Sequence, residues 1–310
     1  MNISVIVPNY NGESLLKENL PKVFNAVKDL EDKTEIIVVD DGSKDNSIKI
    51  ISDLKFKIPN LRVIKSKKNM GFSSTVNKGV ENAKGEIVIL MNTDAYPQKG
   101  FLKPLLEDFK SKEVFAVGLM DKSPESGKFV LRGRGIGKWS RGFLVHQRGE
   151  VDRNNTLWAS GGSSAFRKTI WQKLGGLNTI YNPFYWEDID LSYRALKSGY
   201  KVLFEKRSIV YHNHAKGAIK KNYSEFRIKR IAYRNQFIFV WENATDLLLQ
   251  FSHVIYLPYH LFKSLVHGNW AFLLGFIDAF VLLPKIIKSS FNSQKQFVRT
   301  DREVIKEFIK

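Results

Sequence analysis

Four stretches bring together side chains able to do chemistry. In "NPFYWEDIDLSYRALKSGYKV" (182–202), Glu187, Asp188 and Asp190 stand directly behind Phe184, Tyr185 and Trp186. Acids in the first turn of a helix are favoured by the macrodipole, which accounts for one or two of them but not for the rings. Aromatic walls desolvate a carboxylate, raise its pKa and suit it to general-base work. Arg194, six residues after Asp188, lies nearly two helical turns on, where it either reaches a phosphate or pairs internally. A second stretch, "LMNTDAYP", ends an apolar run on Asn92-Thr93-Asp94. A carboxylate there suits Mg²⁺ or Mn²⁺, which take oxygen ligands and complete their shell with substrate phosphates; such a cation neutralises a diphosphate as its bond breaks. The plainer reading is turn chemistry ahead of Pro97. In "YHNH", His212 and His214 point to opposite faces if the strand continues, so one of them faces the site. In "VVDDGSKDNS", Asp40 and Asp41 precede a glycine turn. A loop carboxylate there accepts hydrogen bonds from a nucleobase or a ribose. Capping the next helix is the plainer job, and Asp45 fits it better, leaving Asp40 and Asp41 free.

These residues need a frame. "ISVIV" (3–7), "EIIVVD" (35–40), "RVIK" (62–65) and "EIVILM" (86–91) read as strands, and the amphipathic stretches 14–30, 46–56 and 73–83 as helices between them. Buried β-branched runs alternating with helices predict a parallel sheet covered on both faces. Ligands bind such sheets at the carboxyl ends of the strands, where Asn9-Tyr10-Asn11, Asp40-Asp41 and Asn92-Thr93-Asp94 lie. Residues 118–153, with "RGRGIGKWSRG", read as a mobile loop, either a surface excursion or a cover over an anionic ligand. "WASGGSSAFRKTIWQKLGG" (158–176) reads as a strand, a small-residue turn and a helix, and 201–214 as two short strands.

The net charge of +18 implies an anionic partner, and no cysteine is present to supply disulfides or thiolate ligands. Between Lys206 and Lys310 there are 17 Lys and Arg against 7 Asp and Glu, so more than half of the excess lies in the last third. That part is helical: 225–243 is basic and aromatic, while 246–267 carries a narrow polar stripe (Asp246, Gln250, His253, His260, Ser264, His267) on an apolar helix. Residues 271–288 repeat the pattern, and Pro258 and Pro284 are expected to kink both segments. Neither reaches the ~18–20 apolar residues of a span. Broad apolar faces with basic flanks fit helices lying in a membrane interface; packing on the first domain is the plainer alternative. No secretory leader is read at the start, since "MNISVIVPNYNG" lacks a basic n-region. The basic tail accompanies apolar faces and so fits lipid better than nucleic acid.

The succession "SVIVPNYNG", "IIVVDDGSKDNS", "NMGFSSTVNKG", "GEIVILMNTDAYP", "SGGSSAFRK", "YWEDIDLSYRALKSGYK" and "VYHNH" resembles the inverting glycosyltransferases of family 2. The likeness covers about residues 1–217 and implies an α/β fold of GT-A type: a mostly parallel central sheet flanked by helices, with a helical, membrane-associating C-terminal extension. The expected division is a catalytic domain over 1–222 (a nucleotide-binding half 1–117 and an acceptor-binding half 118–222) and a basic helical region over 223–310. "YRNQFIF" and the interrupted apolar helices are similar to rhamnosyltransferase-like enzymes of surface-polysaccharide assembly.

The resemblance implies site roles. Pro8, Tyr10, Asn11, Asp41, Asn69, Gly71 and Asn77 would hold the nucleotide, and Asp94 and His212 a Mn²⁺ or Mg²⁺ ion, with His214 in reserve. Asn92, Thr93 and Arg194 would meet the donor diphosphate; Gly161, Gly162, Tyr185, Trp186 and Glu187 the acceptor; and Asp188 would be the general base. Asn92 stands where the family's metal triplet begins with aspartate, and Gly176-Leu177-Asn178-Thr179 replaces a Gly-Phe-Asp-Glu stretch near the acceptor. The implied partners are a nucleotide-diphospho-sugar, a glycan or lipid-linked glycan, the cytoplasmic membrane's inner face and a second copy of the chain. A sugar nucleotidyltransferase is the alternative enzyme, although "PNYNGESLL" has one glycine and no basic residue before Lys17. A non-catalytic sugar-binding relative is another. A chain cut after Tyr223 is expected to lose liposome binding and keep donor hydrolysis.

Overall fold

The computed structural model describes residues 1–213 and 217–308. Four buried strands, β1 (Ile3–Asn9), β2 (Thr34–Asp40), β3 (Leu61–Lys65) and β4 (Ile87–Met91), lie parallel in the order β3-β2-β1-β4. Helices α1 (Glu13–Val27), α2 (Ser47–Lys55) and α3 (Phe72–Glu81) connect them, close to the sequence boundaries. Beyond β4 the sheet changes sense. β10 (Ser163–Arg167) runs antiparallel between β4 and β6 (Val114–Glu125), β11 (Lys201–His212) lies parallel to β6, and β5 (Ala95–Pro97) closes the edge antiparallel to β11. The sheet is therefore mixed rather than mostly parallel. One apolar cluster fills each face.

Three other expectations change. Residues 118–153 are not one mobile loop: β6 turns back as β7 (Lys128–Arg132), and β8 (Gly135–Ser140) pairs with β9 (Phe143–Arg148) in a separate hairpin. Its glycines serve close approach, since a Cβ at Gly135 would lie 2.1 Å from the Trp158 ring. The small-residue turn at 160–162 precedes its strand, β10, and helix α5 (Lys168–Lys173) follows. Residues 201–212 form one strand, whose register against β6 shifts between Glu205 and Ile209.

Helix α4 (Leu102–Asp108) packs beside β11, and α6 (Glu187–Lys197) lies in the core. The C-terminal part contains α7 (Ala218–Asn222), α8 (Glu225–Asn243), α9 (Leu247–Val266), α10 (Trp270–Val281), α11 (Leu283–Gln294) and α12 (Asp301–Lys306). Helix α9 runs unbroken through Pro258, whereas Pro284 opens α11 after a 68° bend from α10. Phe237, Phe239, Ala279, Ile286 and Val304 share one core with Trp186, Ile189 and Tyr193. The polar stripe of α9 faces the protein: His253 is 5% exposed and accepts from Trp241 Nε1–H at 2.9 Å. Its apolar face points outward, with Phe251 63%, Ile255 69% and Phe262 69% exposed, and Phe280 and Phe291 of the next two helices are exposed as well. Among the described residues no single helix is long and apolar enough to cross a membrane.

Candidate functional site

The carboxyl ends of β1, β2 and β4 open into a cleft of about 390 Å³, closed on the far side by the start of α6 and by Tyr223. Pro8, Tyr10, Asp41, Asn69 and Gly71 line the end nearest β1 and β2. Asn92, Thr93, Asp94 and His212 line the floor, and Gly161, Gly162, Tyr185, Glu187 and Asp188 the wall beyond. Asp94 and Asp188, 94 positions apart in sequence, thus face a single cavity.

The Gly161-Gly162 turn joins its two chemical ends. Gly161 N–H donates to Asp188 Oδ2 at 3.0 Å, and Asn92 N–H donates to Gly162 O at 2.9 Å. A Cβ on Gly162 would meet Asn92 Nδ2 at 2.6 Å and His212 Cε1 at 3.2 Å, so only glycine lets the two ends approach this closely.

The two acids that open α6 have different surroundings. Asp188 accepts from Gly161 N–H and, at 2.8 Å, from Ile189 N–H; burial raises its pKa and these donors oppose the rise. Glu187 is 6% exposed and its Oε2 is buried without a hydrogen-bond partner. Burial first, then the charge of Asp188, holds the Glu187 carboxyl well above its ordinary value. Where two adjacent carboxyls share a site, one keeps the proton. Both carboxyls are pushed up by burial, Glu187 further than Asp188, whose backbone donors favour its anion.

At the other end, the His212 imidazole lies between two carboxylates. Its Nδ1 is 2.8 Å from Asp121 Oδ2 and its Nε2 3.1 Å from Asp94 Oδ1. Burial pushes this imidazole down, but its bonds to Asp121 and Asp94 outweigh burial and raise it to about 9. Among the described residues no three His, Asp or Glu converge on one metal position. Asp94, just past the carboxyl end of β4, and His212, at the carboxyl end of β11, supply two donors, and a carboxylate behind the imidazole is the usual support for a metal-bound histidine. Among the described lining residues there is no Lys or Arg. The donor set fits a hard cation whose shell is finished by phosphate oxygens.

Several expected site residues do other work. Arg194 is 4% exposed and does not line the cleft; its guanidinium pairs with Asp190 at 2.7 Å and donates to Leu174 O and Gly176 O. Asn77 is also away from the cleft, exchanging hydrogen bonds with Leu177 O and Leu177 N–H. Asn11 bridges two loops, with its Oδ1 accepting from Lys44 N–H and its own N–H donating to Ser43 Oγ. Trp186 is buried against Phe239 and His146, not stacked in the cavity. Nor are Asp40 and Asp41 free. Asp40 accepts from Ser43 and Asn9, while the Asp41 oxygens accept from Met70 N–H and Gly71 N–H and so fix the 69–71 loop at that end of the cleft. Asp45 accepts from Ser47 N–H at the start of α2, close to its expected job. His214 lies outside the described residues.

Some contributors carried no signal in the sequence. Asp121 lies within β6, a strand hidden in the supposed loop, and Asn222 and Tyr223 reach the cleft from after the histidines. Asn182 donates to Met70 O and accepts from Ser73 N–H, locking the wall to the 69–71 loop.

Comparison with known proteins agrees with this geometry. The O-antigen chain rhamnosyltransferase RfbN of Salmonella typhimurium is 26% identical over 225 residues, 69% of this chain and 67% of that protein. A dolichol-phosphate mannosyltransferase of Pyrococcus furiosus is 34% identical over 118 residues, 38% of this chain and only 33% of the relative, so this match spans about a third of that protein's length. Two solved structures share the fold. TarS 1-349 of S. aureus in complex with UDP-GlcNAc has a TM-score of 0.60 at 16% identity, covering 99% of this chain and 91% of its own. The mannosyltransferase PcManGT of Pyrobaculum calidifontis, in complex with GDP-Man and Mn²⁺, has a TM-score of 0.57 at 17% identity, covering 95% and 84%. The architecture is GT-A-like, and the family model described as glycosyl transferase family 2 matches residues 4–175, more than half of the sequence: the chain belongs to glycosyl transferase family 2.

Proposed function

We propose that the protein is an inverting transferase that moves a sugar from a nucleotide-diphospho-sugar to a hydroxyl of a glycan or lipid-linked glycan. The observation that carries this reading is the shared cleft, with Asp188 at one end and the Asp94–His212 pair at the other. Asp188 takes the proton of the acceptor hydroxyl as its oxygen attacks the anomeric carbon, and the nucleoside diphosphate leaves from the opposite face. Neutral Glu187 turns its unpaired carboxyl oxygen toward a hydroxyl of either sugar. Asp94 Oδ1 and His212 Nε2 would hold Mn²⁺ or Mg²⁺, and His212 must first release its Nε2 proton. When bound, the cation neutralises charge on the departing diphosphate. Asp41 fixes the loop on which the base rests, through Met70 and Gly71.

The outward apolar face of α9–α11 supports a place on a membrane surface, with Lys263, Lys285, Lys288 and Lys295 beside it to meet anionic headgroups. The inner face of the cytoplasmic membrane is the surface we assign, since nucleotide sugars are made in the cytoplasm.

Asp188→Asn tests the chemistry. Removing a general base costs roughly 10²–10⁴-fold in rate. Transfer should fall by that much, while nucleoside diphosphate affinity, measured by calorimetry, stays within about twofold. A variant that turns over like the native chain removes Asp188 from the role.

A further inference from the structure

We propose that Arg234 and Asn235 of α8 are positioning residues for the general base, an inference that rests on the reading of Asp188 as that base. The residues just before Glu187 are strained: Tyr185 has φ 72° and Trp186 φ 75°. Left-handed backbone is unfavourable for non-glycine residues, and such a conformation persists only where the surroundings over-determine it. Within this segment, no side chain caps the start of α6.

The holding groups come from α8, fifty or more positions further along the chain. Asn235 is wholly buried, and the two N–H groups of its Nδ2 are shared among three carbonyl oxygens: Tyr181 at 2.9 Å, Phe184 at 2.9 Å and Tyr185 at 2.8 Å. Its Oδ1 accepts from Arg234 Nε–H at 2.9 Å, which fixes the amide with its NH₂ toward the segment. Arg234 Nη2 in turn donates to Asn182 O at 2.6 Å and Tyr181 O at 3.3 Å. Four consecutive-to-near carbonyls, 181, 182, 184 and 185, are thus pinned by two neighbouring side chains. On its other side the same segment is held by Phe72 N–H on Pro183 O and by the Asn182 amide.

This clamp explains why "YRNQFIF" is built into a helix far from any reacting atom. Without it, Tyr185 and Trp186 relax toward ordinary backbone, the first turn of α6 shifts, and the Asp188 carboxylate leaves Gly161 N–H. A misplacement of about 1 Å costs on the order of 10²-fold in rate.

The test uses the full chain with three variants. Asn235→Asp keeps the size and replaces two N–H donors by an oxygen that carbonyls repel, Arg234→Met removes the guanidinium, and Arg234→Lys keeps a cation and a donor. We expect kcat to fall ~30–100-fold in Asn235→Asp and Arg234→Met, with donor KM within about threefold and a cooperative thermal transition retained. Arg234→Lys should recover most of kcat. The ratio of Asn235→Asp activity to native activity should rise as pH falls and the introduced carboxyl gains an O–H donor. A purely structural role would change the folded fraction and leave kcat per folded molecule within about threefold, and that result overturns the proposal. If Asn235→Asp does not fold, the Arg234 pair decides by the same criterion. Asp188→Asn run alongside separates the readings: native-like turnover there sinks the base itself, whereas an inactive Asp188→Asn with unimpaired Arg234 and Asn235 variants sinks only the clamp.

Discussion

At the scale of single residues, the cleft works because neighbours of like charge are given unlike surroundings. Asp188 has two backbone donors and Glu187 Oε2 has none, so of the two acids Asp188 is the better stabilised as an anion and Glu187 is held further above its ordinary value. Gly162 is the other decisive position, since it separates the base end from Asn92 and His212. Its added Cβ would press Asn92 Nδ2 at 2.6 Å and the His212 ring at 3.2 Å, and that ring is braced from behind by Asp121. Gly162→Ala should therefore raise the Kd of a nucleoside diphosphate measured with Mn²⁺ by roughly tenfold, equivalent to 1.4 kcal/mol, while affinity without Mn²⁺ changes little. Equal weakening with and without Mn²⁺ would argue against a cation at Asp94 and His212. The acidic-aromatic cluster and the histidine pair stand out by residue type and spacing, while the roles given to Asp188 and His212 come from the family resemblance. Which of the adjacent Glu187 and Asp188 meets the Gly161 N–H, twenty-seven positions before Asp188, was not legible, because it depends on how the turn packs against α6.

Among the elements, α9 shows how much a helical pattern says and what it omits. Spacing alone identifies the polar stripe and the broad apolar face, but not which of them turns inward. In the structure the stripe is used by the protein, through His253 Nδ1 on Gly142 O and His260 Nε2 on Arg141 O, and the β8–β9 hairpin supplies both carbonyls. The apolar face is left exposed. Burying a large apolar side chain is worth about 1.5–3 kcal/mol, so Phe251→Glu, Ile255→Glu and Phe262→Glu together should weaken binding to phosphatidylglycerol-containing vesicles by at least ~100-fold. Transfer to a soluble acceptor should be unaffected, and co-sedimentation at native levels would refute the membrane role of this face. The first four strands were legible because continuous β-branched runs have one reading. β6 to β9 were not, because glycines and arginines that mark loops elsewhere here serve contact: Gly135 lies under Trp158, and Arg134 is 4% exposed and donates to Asn155 O.

For the whole molecule, the sequence suggests a catalytic unit with a dispensable tail, and the packing argues otherwise. Lys197 of α6 is fully buried; its ammonium pairs with Asp301 at 2.9 Å and donates to Asn243 O and Thr245 Oγ1, all beyond Tyr223. Removing one partner of a buried ion pair costs about 3–5 kcal/mol. Trp186 and Tyr193 would also lose Phe239, whose ring lies 5.1 and 5.2 Å from theirs, at roughly 1.5–3 kcal/mol for each side chain returned to water. The clamp from Arg234 and Asn235 goes as well, together with the buried Glu242, whose carboxyl accepts from Asn178 and Tyr181. These losses are comparable with the whole stability of a typical domain, about 5–15 kcal/mol. A chain ending after Tyr223 should then give no cooperative transition in calorimetry and no donor hydrolysis, contrary to the expectation that hydrolysis survives. A sharp transition with native-like hydrolysis would show instead that residues 1–223 fold alone and that the buried charges of α6 find other partners. Membrane binding is for this reason tested by changing the exposed face of α9 and not by removing the helix, since the inner face of the same C-terminal part completes the core on which Asp188 stands.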